Sequence, residues 1–197
     1  MKNNAVILFV RNPVLGKVKT RLAKTIGDQK ALKVYQDLLN HTMVQTKNLL
    51  CAKFLFYDTV STQDDIWSEN DYFKKVQIGE DLGQKMQNAF QTVFSLGYKN
   101  VVIIGSDLFD LKSDHIDKAF LQLQKNDVVI GPAEDGGYYL LGLKQMIQPI
   151  FKDKNWGTET VLNQTLENLK NYTTSFLETL NDIDTFEDLQ KYNNKNT

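Results

Sequence analysis

Short apolar segments typical of β-strands alternate along this chain with longer segments of helical periodicity. "AVILFV" (5–10) and the start of "VVIIGSD" (101–107) are apolar at both odd and even positions, as expected of strands that are covered on both faces of a sheet. Further strand-like runs lie at 52–58, 127–131 and 138–143. Between the first two strands, Leu32, Tyr35 and Leu39 fall on one helical stripe. This alternation predicts an α/β protein, a three-layer α/β/α sandwich with a mostly parallel sheet.

The composition indicates one domain and excludes several partners. The chain has 197 residues, of which 42% are hydrophobic, enough to build a core without disulfides. We expect a single domain over residues 1–192 and a disordered polar tail at 193–197. The net charge of −1 favours neither nucleic acid nor a membrane surface as partner. With one cysteine, no apolar run near 20 residues and a strand-like N-terminus, we expect a cytoplasmic protein.

A cluster of cationic side chains follows the first strand, in "RNPVLGKVKTRL" (11–22). Pro13 and Gly16 allow a tight turn whose backbone N–H groups could face an anion. The cluster matches neither the P-loop nor the dinucleotide-binding glycine pattern. We interpret it as a phosphate-binding loop, and the alternative is a solvated surface loop without a specific role. The candidate phosphate-binding residues are Arg11, Gly16, Lys17, Lys19 and Arg21.

Acidic residues follow two other predicted strands. Asp107 and Asp110 follow the apolar run "VVIIG" (101–105), and Glu134 and Asp135 precede two glycines after the strand at 127–131. Because the carboxyl ends of parallel strands lie at one edge of a sheet, these carboxylates should approach the cationic loop. Carboxylates suit a hard divalent ion and cations suit phosphate oxygens. The alternatives are that Asp107 only caps a turn and that "DGG" only makes a β-hairpin turn.

Six ordered motifs resemble a family of small bacterial GT-A-type transferases. They are "NPVLGKVKTRL", "GEDLGQKM", "IGSDLFDL", "GPAEDGGYYLLGL", "WGTETVL" and "NDIDTFEDL", and they extend from about Ala5 to Leu189. That family is described as glycosyltransferase-like and is sometimes linked to arsenosugar biosynthesis. It is related to molybdenum-cofactor and 2-phospholactate guanylyltransferases. The resemblance implies a nucleotide-diphospho-sugar transferase fold.

The resemblance also implies roles for individual residues. The cationic loop would hold the phosphates of a nucleotide-sugar or a nucleoside triphosphate. Asp107, completed by Asp182 or Asp184, would bind Mg²⁺ or Mn²⁺. Asp107, Glu134 and Asp135 are the candidate catalytic residues, with Asp135 or Glu134 as the base for a small-molecule acceptor. The residues implied on the acceptor side are Gly136, Gly137, Trp156 and Thr158.

The reaction that follows is a metal-assisted displacement at a phosphate or sugar centre. We favour glycosyl transfer because the resembling family carries that description. Nucleotidyl transfer with release of pyrophosphate is one alternative, and a non-catalytic nucleotide-binding module is the other. We expect neither a nucleic acid nor a membrane partner, and the sequence specifies no oligomeric state.

Overall fold

The computed structural model describes residues 3–60 and 65–195. The strands are β1 Asn4–Val10, β2 Ala52–Tyr57, β3 Phe73–Val76, β4 Asn100–Ile104, β5 Val128–Pro132, β6 Tyr138–Leu143 and β7 Thr174–Phe176. The helices are α1 Thr20–Ile26, α2 Asp28–Thr46, α3 Leu82–Ser95, α4 Ser113–Gln122, α5 Val161–Asn168 and α6 Phe186–Lys195, with a 3₁₀ turn at Gln148–Phe151. None of the helices among these residues is both long and apolar enough to cross a bilayer.

The seven described strands form one sheet in the order β3-β2-β1-β4-β6-β5-β7. β1 pairs in parallel with β2 and β4, β2 with β3, and β5 with β7. Of these strands only β6 runs in the opposite direction, since it pairs antiparallel with both β4 and β5. The mostly parallel sheet is therefore confirmed, and the carboxyl ends of β1, β4 and β5 lie at the same edge.

Two hydrophobic cores cover the two faces of the sheet. Val6 and Leu8 of β1 pack in one core with residues of α2 and α4. Ala5 and Ile7, which point the other way, pack in a second core with residues of α3. All four side chains are fully buried, as strand alternation requires when both faces are covered. The predicted three-layer arrangement is confirmed.

Some local predictions differ from the structure. β3 was not predicted, because this edge strand has exposed Phe73 and Val76 with two lysines between them and so lacks an apolar run. "SDHIDKAF" (113–120) indicates a helix with Ser113 at its cap, but Ser113 is the first helical residue and Lys112 takes the cap position. The backbone N–H of Lys112 donates to Nδ1 of His115 at 3.0 Å.

The C-terminal helix extends further than expected. Thr185 and Asp188 form the capping box that the sequence indicates, with the Thr185 N–H donating to Asp188 Oδ2 at 2.8 Å and the Asp188 N–H to Thr185 Oγ1 at 3.3 Å. α6 then continues to Lys195, within the segment 193–197 where we expected a disordered tail. Positions 196 and 197 lie outside the described residues, and the single domain over residues 1–192 stays a prediction.

Candidate functional site

A cavity of about 790 Å³ opens at the edge of the sheet where β1 and β4 end. The loop after β1, the loop after β4 and the segment before α6 all contribute to it. It brings together cations and carboxylates that are far apart in sequence. The charged residues around which the site is built are Arg11, Lys19, Arg21, Asp107, Asp182 and Asp184.

Lys19 lies at the centre of this charged group. Its ammonium is 2.6 Å from Asp107 Oδ1 and 2.9 Å from Asp184 Oδ1, and its side chain is only 4% exposed. Burial alone lowers the pKa of Lys19, but the charges of the two carboxylates outweigh burial and the net shift is upward. Lys19 is therefore a fixed positive charge that links the first loop of the chain to its C-terminal segment.

The backbone of Lys19 adopts an uncommon conformation. Its φ of 46° and ψ of 45° lie in the left-handed region, at the residue that precedes α1. A non-glycine residue in this region costs about 1 kcal/mol. We infer that the two ion pairs offset this cost, because the left-handed turn directs the side chain between the two carboxylates.

Arg11 and Arg21 flank the buried lysine. Arg21 Nη1 is 3.5 Å from Asp184 Oδ2, and its side chain is 65% exposed, so it can reach a ligand in the cavity. The backbone of Arg11 is held by Tyr35, whose hydroxyl accepts from the Arg11 N–H at 2.8 Å and donates to the Arg11 carbonyl at 3.1 Å. Burial raises the pKa of Tyr35 to about 12, so this hydroxyl stays protonated at neutral pH.

The other two members of the predicted phosphate loop lie outside the cavity lining. Gly16 has a φ of +72°, which suits glycine in the turn before α1. Lys17 is exposed, although it is two residues from the buried Lys19. The structure therefore places Lys19 and Arg21 in the cavity and leaves Lys17 at the surface, although the three residues alternate in the sequence.

Backbone hydrogen bonds bring the C-terminal acids next to Asp107. The Leu180 N–H donates to the Pro132 carbonyl at 3.1 Å, and the Ile183 N–H donates to the Asp107 carbonyl at 2.9 Å. The segment between these anchors carries Asp182 and leads into Asp184. Burial, followed by the neighbouring charges of Asp135 and Asp184, raises the pKa of Asp182 to about 6.

The carboxylates fit a divalent ion of the kind that also binds substrate phosphates. Asp107 and Asp184 already direct one oxygen each at a single cation, the Lys19 ammonium. In the part of the chain that the structure describes, no three acidic, histidine or cysteine side chains are arranged as a ready-made metal site. Mg²⁺ typically takes one or two protein carboxylates and completes its shell with water and phosphate. The donor set suits such an ion.

The hairpin between β5 and β6 holds four of the predicted residues, and none of them is among the described residues that line the cavity. Asp135 Oδ1 accepts from the Gly137 N–H at 2.8 Å, and Glu134 pairs with Lys191 at 3.5 Å. Gly136 has a φ of +87°, and a side chain there would overlap the backbone of Glu159. The turn conformation and this close backbone contact account for Gly136. The negative charge of Asp135 contributes to the raised pKa of Asp182, so Asp135 is the hairpin residue that interacts with the site.

The predicted acceptor-side residues Trp156 and Thr158 lie before α5 and also stand outside the cavity lining. Trp156 packs against the second core, where its ring closely approaches Gly83 of α3. The Thr158 hydroxyl donates to the Asn155 carbonyl at 2.8 Å. Both contacts organise the loop itself.

The cavity lining also includes polar residues that the sequence reasoning missed. Tyr35 was interpreted only as part of a helical stripe. Asp58 and Gln77 follow β2 and β3, and Lys85 lies on α3. Asp58 could have been found from its place at the carboxyl end of the predicted strand 52–58, but Gln77 follows the strand that the sequence did not reveal.

The fold matches that of the nucleotide-diphospho-sugar transferase class of structures. A crystal structure of a candidate nucleotide-diphospho-sugar transferase from Desulfovibrio desulfuricans G20 is 32% identical to this chain. It superposes with a TM-score of 0.91 over 100% of this chain and 89% of that chain. A model of the DUF2064 family, described as uncharacterized proteins conserved in bacteria, matches residues 42–158. The chain belongs to this family.

Two more distant structures share the fold alone. The 4-diphosphocytidyl-2C-methyl-D-erythritol synthase from Anaerococcus prevotii is 11% identical, with a TM-score of 0.61 over 98% of this chain and 96% of that chain. The manganese complex of Rv0371C from Mycobacterium tuberculosis H37Rv is 13% identical, with a TM-score of 0.55 over 97% of both chains. A comparison with curated proteins gave no significant match.

Proposed function

We propose that this chain is a metal-dependent transferase that uses a nucleotide-sugar or a nucleoside triphosphate, and that glycosyl transfer is its reaction. The observation that carries the proposal is the position of Lys19 between Asp107 and Asp184, inside a cavity of about 790 Å³. A diphosphate group needs cations for its oxygens and carboxylates for its metal ion. The class of the similar structure from Desulfovibrio desulfuricans supports the same function.

Each charged residue then has a role in the displacement. Lys19 and Arg21 hold phosphate oxygens, and Arg11 supports them from the start of the loop. Asp107 and Asp184 would hold Mg²⁺ or Mn²⁺, and one of the structures of similar fold is a manganese complex. A bound ion would supply positive charge against the leaving group. Asp135 takes the proton of the acceptor hydroxyl through the oxygen that the Gly137 N–H leaves free.

One observation favours nucleotidyl transfer as a second candidate. Neither Asp135 nor Glu134 is among the described residues that line the cavity. A phosphate acceptor is already ionised and needs no base, whereas an acceptor hydroxyl does. The relationship to arsenosugar biosynthesis and to the guanylyltransferases remains part of the proposal.

Binding and product assays test this function. Nucleotides should raise the melting temperature more with Mg²⁺ or Mn²⁺ than with EDTA, and Asp107→Asn should abolish the metal-dependent part. Asp110→Asn is the matched control, because Asp110 follows the same strand but pairs with Lys195 at 2.9 Å. Release of a nucleoside diphosphate indicates glycosyl transfer, and release of pyrophosphate indicates nucleotidyl transfer. Nucleotide binding that is indifferent to both metal and Asp107 would identify a non-catalytic module.

A further inference from the structure

One part of the cavity lining presents hydrogen-bond acceptors. Asp58 follows β2 and Gln77 follows β3, so both side chains lie beyond the carboxyl ends of adjacent parallel strands. They line the same cavity as the cationic loop. The proposed function gives roles to the cations of the first loop and to three aspartates, but none to Asp58 or Gln77.

The amide of Gln77 has a defined orientation. Its Nε2 donates to the Val10 carbonyl at 3.3 Å and to the Phe56 carbonyl at 3.0 Å. Carbonyl oxygens can only accept, so the NH₂ group must face them and Oε1 must face away. Within residues 3–60 and 65–195, Oε1 has no hydrogen-bond partner, so Gln77 offers the cavity an acceptor.

The carboxylate of Asp58 is held in a similar way. The Asn12 N–H donates to its Oδ1 at 2.9 Å, with Asn12 Nδ2 at 3.5 Å from the same oxygen. Asn12 Nδ2 also donates to Thr59 Oγ1 at 2.7 Å, which fixes the asparagine amide. The Oδ2 atom of Asp58 has no donor among the described residues. A carboxylate that is anchored through one oxygen presents the other as a charged acceptor.

We propose that Asp58 and Gln77 form a base-recognition site that selects guanine. The inference rests on the proposed function, since it needs a nucleotide in this cavity. Guanine carries two adjacent donors, N1–H and the exocyclic N2–H₂, without an acceptor between them. Adenine and cytosine place an acceptor beside their donor, and uracil flanks its single donor with two acceptors. Two fixed acceptors therefore match guanine and leave an unfavourable pairing with each other base.

A cation in the same cavity complements the pair. Lys85 of α3 lines the cavity and forms no ion pair with any residue that the structure describes. Its ammonium can donate to the O6 atom of guanine, an acceptor. Ribose hydroxyls are the competing donors for Asp58 and Gln77, and the experiment must separate them from the base.

Calorimetric titration with nucleoside diphosphates in the presence of Mg²⁺ tests the proposal. We expect GDP to bind at least 10-fold more tightly than ADP, CDP or UDP. IDP lacks the 2-amino group, so it should bind about 10- to 100-fold more weakly than GDP, as expected for a lost hydrogen bond to a charged acceptor. Asp58→Asn should shift the GDP-to-XDP affinity ratio at least 10-fold towards XDP, because the amide can donate to the 2-oxo group of xanthine.

Asp81→Asn is the matched control. Asp81 lines the same cavity, but its carboxylate caps α3 by accepting from the Gln84 N–H at 2.7 Å. Asparagine also caps helices well, so the control should fold and keep the order of base preference. The Asp58→Asn variant keeps an oxygen for the Asn12 N–H, so it should also fold.

Three results would overturn the base assignment. They are equal affinity for all four common bases, a preference for a base other than guanine, and a GDP preference that Asp58→Asn leaves unchanged. If equal affinity is combined with weaker binding of the 2′,3′-dideoxy forms, the acceptors are assigned to the ribose. Each of these keeps nucleotide binding intact and so leaves the proposed function standing. The absence of binding by any nucleotide would instead overturn the proposed function.

Discussion

Replacing Asp182 by asparagine should stabilise the protein at neutral pH. Burial, together with the charges of Asp135 and Asp184, raises the pKa of Asp182 from 3.8 to about 6. A difference of about two units corresponds to about 3 kcal/mol. We expect about 1–2 kcal/mol, because the carboxylate is still partly exposed and solvent screens it. For a protein of this length, that is a rise in Tm of about 2–8 °C.

The sign of the pH dependence follows from proton binding. Between about pH 4 and pH 6, the folded state holds the Asp182 proton more tightly than the unfolded state does. The free energy of unfolding therefore falls as pH rises through this window. At pH 7 the ionised Asp182 destabilises the folded state by its full amount. Asparagine has no proton to lose, so the difference between the variant and the wild type should be largest at pH 7 and should shrink towards pH 4.

Urea unfolding followed by tryptophan fluorescence, in EDTA and at intervals between pH 4.0 and 7.5, measures this difference. Asp117→Asn removes an exposed carboxylate from α4 and serves as the control. A difference for Asp182→Asn that is constant across the pH range would refute the reasoning, because it would show that folding does not perturb this carboxyl group.

Three other substitutions test the structural interpretation. Lys19→Met should cost about 1–3 kcal/mol in urea unfolding and weaken nucleotide binding in calorimetry, since it leaves two half-exposed carboxylates without their cation, whereas Lys17→Met should change neither. Tyr35→Phe should cost about 1 kcal/mol and lower nucleotide affinity, because the hydroxyl no longer holds the backbone at the start of the cationic loop; unchanged affinity would count against that role. Gly136→Ala should destabilise the protein by at least about 2 kcal/mol more than Gly97→Ala, because both glycines have φ near +90° but only the first meets neighbouring backbone; equal Tm values would contradict this packing argument.

The sequence predicted the centre of the fold better than its edges. β1 and β4 are apolar on both parities because helices cover both faces of the sheet, so their pattern is unambiguous. β3 has only one neighbour among the described strands, and its outer residues are exposed, so no apolar pattern marks it. The reversed direction of β6 follows from the hairpin turn at "DGG", which the sequence left as an alternative to a binding loop.

The sequence predicted which charged residues meet at the site, but not how they are arranged there. Cations after β1 and an aspartate after β4 had to meet at one edge of the sheet, and Lys19 and Asp107 do. The sequence could not show which lysine becomes buried, because that depends on one left-handed residue in the loop. Asp182 and Asp184 came from the family resemblance alone. Their position depends on hydrogen bonds between segments that are about 50 and about 75 residues apart, which no local pattern encodes.

Charge balance in the cavity gives a reason to expect metal-dependent binding. The described residues that line the cavity include six carboxylates (Asp58, Glu80, Asp81, Asp107, Asp182 and Asp184) and four cations (Arg11, Lys19, Arg21 and Lys85), which gives a formal net charge of −2. A nucleoside diphosphate would add about three more negative charges, and a monophosphate about two. Because repulsion grows with each added charge in a partly buried site, a divalent ion should matter more for the diphosphate. We therefore expect EDTA to weaken diphosphate binding by a larger factor than monophosphate binding in calorimetric titrations at constant ionic strength. Equal factors would mean that the carboxylates and the ligand phosphates do not share one ion.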